Sequence, residues 1–217
     1  EQSEGQGARV VRTIGNYKIE DVLDPFLLLD EFNVKKPAGF PNHPHRGFQT
    51  VTYMLEGEFT HRDNADHEGT IQKGAVQWMN AGRGIIHSEM PGPGPENRGL
   101  QLWINLAAKD KMSTPNYQEY EKEQLPSTEL ENGATLKVVA GTSHGLTSPI
   151  KLNTLVQFTH IQSLLKDSEY EEKIPIHEDS RQAAFKFGLD PTACALSGGE
   201  DYELLFTISQ DDFEKIK

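Results

Sequence analysis

Two short runs constrain this chain more than any other feature. His43-Pro44-His45-Arg46-Gly47 and His87-Ser88-Glu89 each set two side chains with metal-binding atoms two residues apart. In a β-strand, residues i and i+2 leave the same face. Pro44 argues against a helix through the first run, because its ring clashes with the carbonyl four residues back. Phe48, Thr50, Val51, Thr52 and Tyr53 follow at once, and such β-branched and aromatic residues suit a pleated surface. Gly82 and Gly84 precede the second pair and let the backbone turn tightly into it. His43 and His45 therefore leave one strand together, and His87 and Glu89 leave another. Three imidazoles and a carboxylate facing the inside of one β structure make a metal site. His61, His67, His144, His160 and His177 lack a partner at this spacing and read as ordinary polar residues.

The chain around these pairs reads as short strands. Residues 9–19 alternate around a turn at Gly15-Asn16, residues 26–29 form a buried strand, and residues 35–41 form a loop. Residues 49–55 and 58–62 read as a hairpin around Glu56-Gly57, and residues 70–72 and 76–79 as strands joined at Lys73-Gly74. Residues 90–99 are a Pro/Gly loop and residues 100–106 a strand with Leu100, Leu102 and Ile104 on one face. Residues 109–125 read as a charged surface stretch, residues 136–141 as a strand and residues 142–149 as a loop. Many short strands with frequent turns indicate a mainly β fold, an antiparallel sandwich or barrel.

Composition bounds the partners. The net charge of −12 at pH 7 disfavours direct binding to nucleic acid or an anionic membrane, since both need a positive surface. No apolar run approaches a membrane span. Cys194 is the single cysteine, which excludes an internal disulfide and favours a reducing, cytoplasmic compartment.

The segments Phe40-Pro41-Asn42-His43-Pro44-His45-Arg46-Gly47-Phe48 and Asn80-Ala81-Gly82-Arg83-Gly84-Ile85-Ile86-His87-Ser88-Glu89-Met90-Pro91 resemble the signature segments of the pirin family, a branch of the cupins. Asp24-Pro25-Phe26-Leu27-Leu28-Leu29-Asp30-Glu31-Phe32 and Gly99-Leu100-Gln101-Leu102-Trp103-Ile104-Asn105-Leu106 resemble two further pirin segments. The likeness covers residues 7–155. It implies a cupin β-sandwich or barrel with iron ligated by His43, His45, His87 and Glu89. Many cupins place a glutamate shortly after the first histidine pair; Gln49 and Thr50 stand there in this chain, and Glu89 supplies the carboxylate. The resemblance also implies a second barrel beginning after the first, which the stretch following Ile150 is too short to complete.

The chain then changes character. Lys173-Ile174-Pro175-Ile176-His177 and the run Ser197-Gly198-Gly199-Glu200-Asp201-Tyr202-Glu203-Leu204-Leu205-Phe206 resemble a C-terminal segment of thiamine-monophosphate kinase, without that enzyme's nucleotide domain. The chain thus divides into a pirin-like domain, residues 1–155, and a truncated α+β region, residues 156–217. Within the latter, residues 180–187 read as a helix, 204–208 as a strand and 211–217 as the start of a second helix.

By donor type alone the site suits iron, manganese, copper, nickel or zinc. The resemblance favours iron and implies quercetin 2,3-dioxygenase activity, with a flavonol and dioxygen as substrates and Glu89 as a general base. It also implies an alternative, an iron-dependent redox sensor and transcriptional cofactor that contacts a protein partner. Arg46, Arg83 and Trp78 flank the ligand pairs and read equally as substrate contacts or as packing.

Overall fold

The structure is a computed structural model of the 217-residue chain and describes residues 2–5, 7–14, 24–130, 133–162 and 203–209. The chain divides into two compact units, residues 1–124 and 125–217.

In the first unit the strands are β1 (Gln2–Glu4), β2 (Ala8–Ile14), β3 (Phe26–Asn33), β4 (Phe40–His45), β5 (Phe48–Glu56), β6 (Glu58–Asp63), β7 (Glu68–Gln72), β8 (Val76–Asn80), β9 (Ile85–Pro91), β10 (Arg98–Asn105) and β11 (Asn116–Tyr120). They form two sheets, a seven-stranded one in the order β1-β2-β3-β10-β5-β8-β11 and a four-stranded one in the order β4-β9-β6-β7. Every pairing is antiparallel. This is the cupin-type antiparallel β architecture expected from the sequence, built as two open sheets with no closed barrel among the described residues.

Apolar side chains from both sheets meet between them. Phe32 of β3 and Met54 of β5 join Phe59 of β6 and Ile71 of β7 in one buried cluster with Ala8 and Val10 of β2. The Phe32 and Phe59 rings lie 4.9 Å apart. Each such side chain contributes about 1.5–3 kcal/mol by leaving water.

The glycine turn at Glu56-Gly57 does not close a hairpin. β5 pairs with β10 and β8, whereas β6 pairs with β7 and β9. Met54 and Phe59 reach the same core from opposite sheets, so the chain turns a corner between sheets at Gly57. The link at Lys73-Gly74 does the same between β7 and β8. Residues 109–125 are also more than a charged surface, because β11 within them pairs with β8 and completes the large sheet.

One row of side chains crosses that sheet. The register sets Arg12 opposite Asp30, Asp30 opposite Gln101, Gln101 opposite Thr52, Thr52 opposite Gln77 and Gln77 opposite Glu119. Directly opposed residues share a face. On the smaller sheet Glu89 stands opposite His61, and His61 opposite Gly69. The two rows meet across the sandwich, where Thr52 and Gln101 bond to Glu89 and Gln77 lies against His61.

The second unit holds a sheet of β12 (Ser127–Glu129), β13 (Thr135–Ala140), β16 (Val156–Gln162) and β17 (Glu203–Ser209), paired in that order. The expected loop at 142–149 contains a short ribbon, β14 (Thr142–Ser143) with β15 (Leu146–Thr147). The strand expected at 204–208 is β17, antiparallel to β16. The turn at Gly15-Asn16 and the helices expected at 180–187 and 211–217 lie outside the described residues. Among the described residues no helix is long and apolar enough to cross a membrane.

Candidate metal centre

Both ligand pairs lie on strands, as their spacing requires. His43 and His45 come from β4, and His87 and Glu89 from the adjacent β9. The register places His43 opposite His87 and His45 opposite Ile85. Between Phe40 and His43 the register shifts. Pro41 lies within that shift and has no N–H for the ladder, which suits a bulge there. The turn into β9 depends on Gly82, where φ is +44° and a Cβ would collide with the Ser113 carbonyl.

The three imidazoles converge. Ring centroids are 4.5 Å apart for His43 and His87, 4.8 Å for His43 and His45, and 5.0 Å for His45 and His87. One nitrogen from each can be chosen so that all lie within 4.8 Å of one another. His87 is 1% exposed, and neither ring nitrogen has a hydrogen-bond partner among the described residues. A buried polar group left unpaired costs about 1–3 kcal/mol, so this ring is placed for something other than stability. His43 holds Nδ1 2.8 Å from the Pro41 carbonyl. A carbonyl only accepts, so Nδ1 carries the proton and Nε2 is left as the ligand atom. Burial lowers the His45 pKa to about 3, with His87 and His43 adding to the effect and Glu89 opposing it. Burial lowers His87 as well, against the pull of Glu89. Both rings are therefore neutral near pH 7, the form that binds a metal. These residues fit a divalent transition metal of borderline softness.

Glu89 lies one pleat along β9 from His87 and is also buried. Its Oε1 accepts a hydrogen bond of 2.9 Å from the Thr52 hydroxyl. Gln101 Nε2 stands 3.4 and 3.3 Å from the two carboxylate oxygens. Burial pushes the carboxyl pKa up, but His87, the Thr52 hydroxyl and the other two histidines outweigh it, and the net shift is downward. Glu89 is thus an ionised carboxylate beside the neutral His45 and His87 imidazoles.

The centre opens on a cavity of about 680 Å³. Its apolar wall includes Leu28, Phe40, Phe48 and Trp103, and its polar end the Arg12–Asp30 pair. That pair is bidentate, at 2.8 and 2.7 Å. Trp103 packs 4.8 Å from Phe48, and both rings lie 5.2 Å from His45. Thr52, Gln101 and Trp103 escaped the sequence reading. Alternation along residues 100–106 does put Gln101 and Trp103 on the face opposite Leu102 and Ile104, and that signal could have found them. Of the flanking residues, Trp78 is fully buried, while Arg46 and Arg83 are exposed.

The structure also brings together residues that spacing left separate. His61 of β6, His67 of the following loop and Glu119 of β11 form a second cluster of potential ligands within 4.8 Å.

Comparison with known proteins supports the resemblance for the part of the chain that builds the centre. A pirin-like protein of Solanum lycopersicum is 54% identical over 175 residues, which is 80% of this chain and 59% of that protein. Human pirin is 49% identical over 155 residues, 71% of this chain and 53% of that protein. The crystal structure of a quercetin 2,3-dioxygenase from Acinetobacter baumannii superposes with a TM-score of 0.68 at 31% identity, covering 77% of this chain and 62% of that one. The chain therefore spans between half and three-fifths of the length of the two curated relatives. The pirin family model matches residues 7–104, the stretch of this chain that carries the three-histidine centre.

Proposed function

We propose that the chain is a metal-dependent dioxygenase of the quercetin 2,3-dioxygenase type, acting on flavonol-like substrates with dioxygen. The observation that carries this reading is the buried three-histidine cluster, with the unpartnered His87 ring, opening on an aromatic-walled cavity. The ion is iron, held by His43, His45, His87 and Glu89. When bound it supplies Lewis-acid polarisation of a chelating hydroxyl and carbonyl, and redox reactivity toward dioxygen. The cavity volume lies within the range of small-molecule sites, about 300–1,000 Å³. Phe48 and Trp103 offer flat faces on which a planar ring system stacks. Glu89, held ionised, accepts the proton of the flavonol hydroxyl. Thr52 and Gln101 fix the carboxylate in that position. The chain from about residue 172 onward takes no part, and its likeness to thiamine-monophosphate kinase brings no kinase activity, since phosphoryl transfer needs positioned metals and a phosphate cradle.

The test is oxygen uptake by the iron-loaded chain with quercetin as probe. Uptake that requires the metal is expected, with Glu89→Gln slowing turnover by about 10²–10⁴-fold, the range for loss of a general base. Turnover by Glu89→Gln at the wild-type rate, at matched metal content, would contradict the role of Glu89. A metal-loaded chain that takes up no oxygen would favour the non-enzymatic redox sensor acting through a protein partner.

A further inference from the structure

We propose that His61, His67 and Glu119 form a second site for a divalent transition-metal ion, separate from the three-histidine centre and reached from solvent. Three elements supply the donors: the interior strand β6, the loop that follows it, and the edge strand β11. One carboxylate oxygen, Oε1 of Glu119, lies 2.8 Å from His61 Nε2 and 3.4 Å from His67 Nε2. With metal–ligand bonds of about 2.1 Å, neighbouring donor atoms in a coordination shell stand about 3.0–3.4 Å apart. The observed separations bracket that range.

Further features point to a ligand beyond the cluster itself. His61 is 2% exposed, yet its buried Nε2 makes no aligned N–H hydrogen bond even though Glu119 Oε1 is at contact distance. The two atoms approach as neighbouring ligands do. Opposite His61 stands Gly69, where a Cβ would sit 2.6 Å from His61 Cε1, 2.9 Å from His61 Nε2 and 3.0 Å from Glu119 Oε2. Any larger residue would fill the space beside the donors.

The surroundings orient all three groups. Gln77 Nε2 lies 2.5 Å from His61 Nδ1 and 2.7 Å from Glu119 Oε1. The amide nitrogen donates to Glu119 Oε1 and so holds that carboxylate beside His61 Nε2. Asp63 Oδ1 accepts from the His67 backbone N–H at 2.9 Å and fixes the loop. The Tyr117 ring stacks on His67 at 4.2 Å. The side chains of His67 and Glu119 are 37% and 31% exposed, which leaves a solvent path and a free coordination position for water. Two imidazoles and a carboxylate with an open position suit zinc, cobalt or nickel.

The experiment uses the untagged full chain, stripped of metal and then titrated with cobalt(II) and zinc(II), with bound metal measured after equilibrium dialysis. Wild type is expected to bind a second equivalent. His67→Ala and Glu119→Gln, both at partly exposed positions, are expected to lose that equivalent and keep the other. A chain carrying His43→Ala and His87→Ala is expected to keep the equivalent that these two lose. Saturation of wild type at a single equivalent overturns the proposal. So does a second equivalent that survives both His67→Ala and Glu119→Gln.

Discussion

The two clusters each draw a buried histidine from the smaller sheet, His87 and His61, and differ in how the fold treats its nitrogens. His43, His45 and His87 come from the neighbouring strands β4 and β9, and the most buried of them, His87, has no partner at either nitrogen among the described residues. His61, two strands from β4, has Gln77 against one nitrogen and Glu119 against the other. In the first cluster the fold leaves both His87 nitrogens unpaired; in the second it sets a polar neighbour beside each His61 nitrogen, Gln77 at Nδ1 and the Glu119 carboxylate at Nε2. A bare imidazole in an apolar interior destabilises the chain until a ligand arrives, whereas a braced one stabilises the chain whether or not a ligand arrives.

The most direct way to break this contrast is to replace each buried ring by leucine and compare the metal-free chains. His87→Leu is expected to abolish metal binding at the first centre while leaving the melting temperature unchanged or higher. His61→Leu is expected to lower stability by about 1–3 kcal/mol, because it strands the Gln77 amide and part of the Glu119 carboxylate. Thermal unfolding after chelation measures both. Equal destabilisation by the two substitutions would show that His87 is braced after all.

The same contrast explains what could be read from sequence. The placement of His43 and His45 on one strand and of His87 and Glu89 on its neighbour was legible because a strand period of two converts spacing directly into a shared face. The mainly β architecture was legible for the same reason. His61 and His67 were not, because their meeting with Glu119 depends on a loop after β6 and on the pairing of β11 with β8. Neither leaves a periodic trace. The corner at Gly57 was misread as a hairpin because a glycine turn between two strands looks the same whether they pair or part. Which strand faces which across a sandwich is decided by the core, where Met54 and Phe59 meet.

A smaller effect tests the link between the rows. Thr52→Val removes the hydroxyl that bonds Glu89 Oε1 and leaves the carboxylate with Gln101. Metal affinity at the first centre is expected to fall about 10–100-fold, the usual cost of losing an outer partner of a ligand. The second equivalent should bind as before, since Gln77 and not Thr52 holds His61. Competition with a chromophoric chelator measures both affinities, and a parallel loss at the second cluster would mean that the polar row acts as one unit.

Acid should separate the clusters in the metal-free chain. His45 falls from its ordinary 6.5 to about 3 on folding, through burial first. Between those values the unfolded chain holds more protons than the folded one, so stability rises with pH and is lost as pH drops from about 6.5 toward 3. Glu119 falls from 4.5 to about 2, chiefly through its contact with His61, with partial burial opposing and Gln77 assisting. Its contribution is present above 4.5 and is lost only as pH approaches 2. Melting temperatures of the His45→Gln chain should therefore slope less steeply between pH 6.5 and 4.5, the remainder coming from His87, where those of Glu119→Gln still slope like wild type. Glu119→Gln should lower the slope only below that window. Matching profiles for the two variants would mean that the clusters titrate together.

The smallest expected effect is that of removing the chain after Asp167. Every donor in either cluster lies on β4, β6, β9 or β11 or in the loop between β6 and β7, all within residues 1–124. The truncation removes β17 and so exposes the edge of β16 that β17 covers. An uncovered edge carries unpaired N–H and C=O groups and invites association between chains. Soluble yield is therefore expected to fall while metal content per folded monomer holds at the full-chain value for both clusters. Size-exclusion chromatography with metal analysis of the monomer fraction separates the two quantities. Loss of the first equivalent from a monomer that still shows β circular dichroism would mean that the tail supports the centre, and that the contrast between the clusters is set from outside their own sheet.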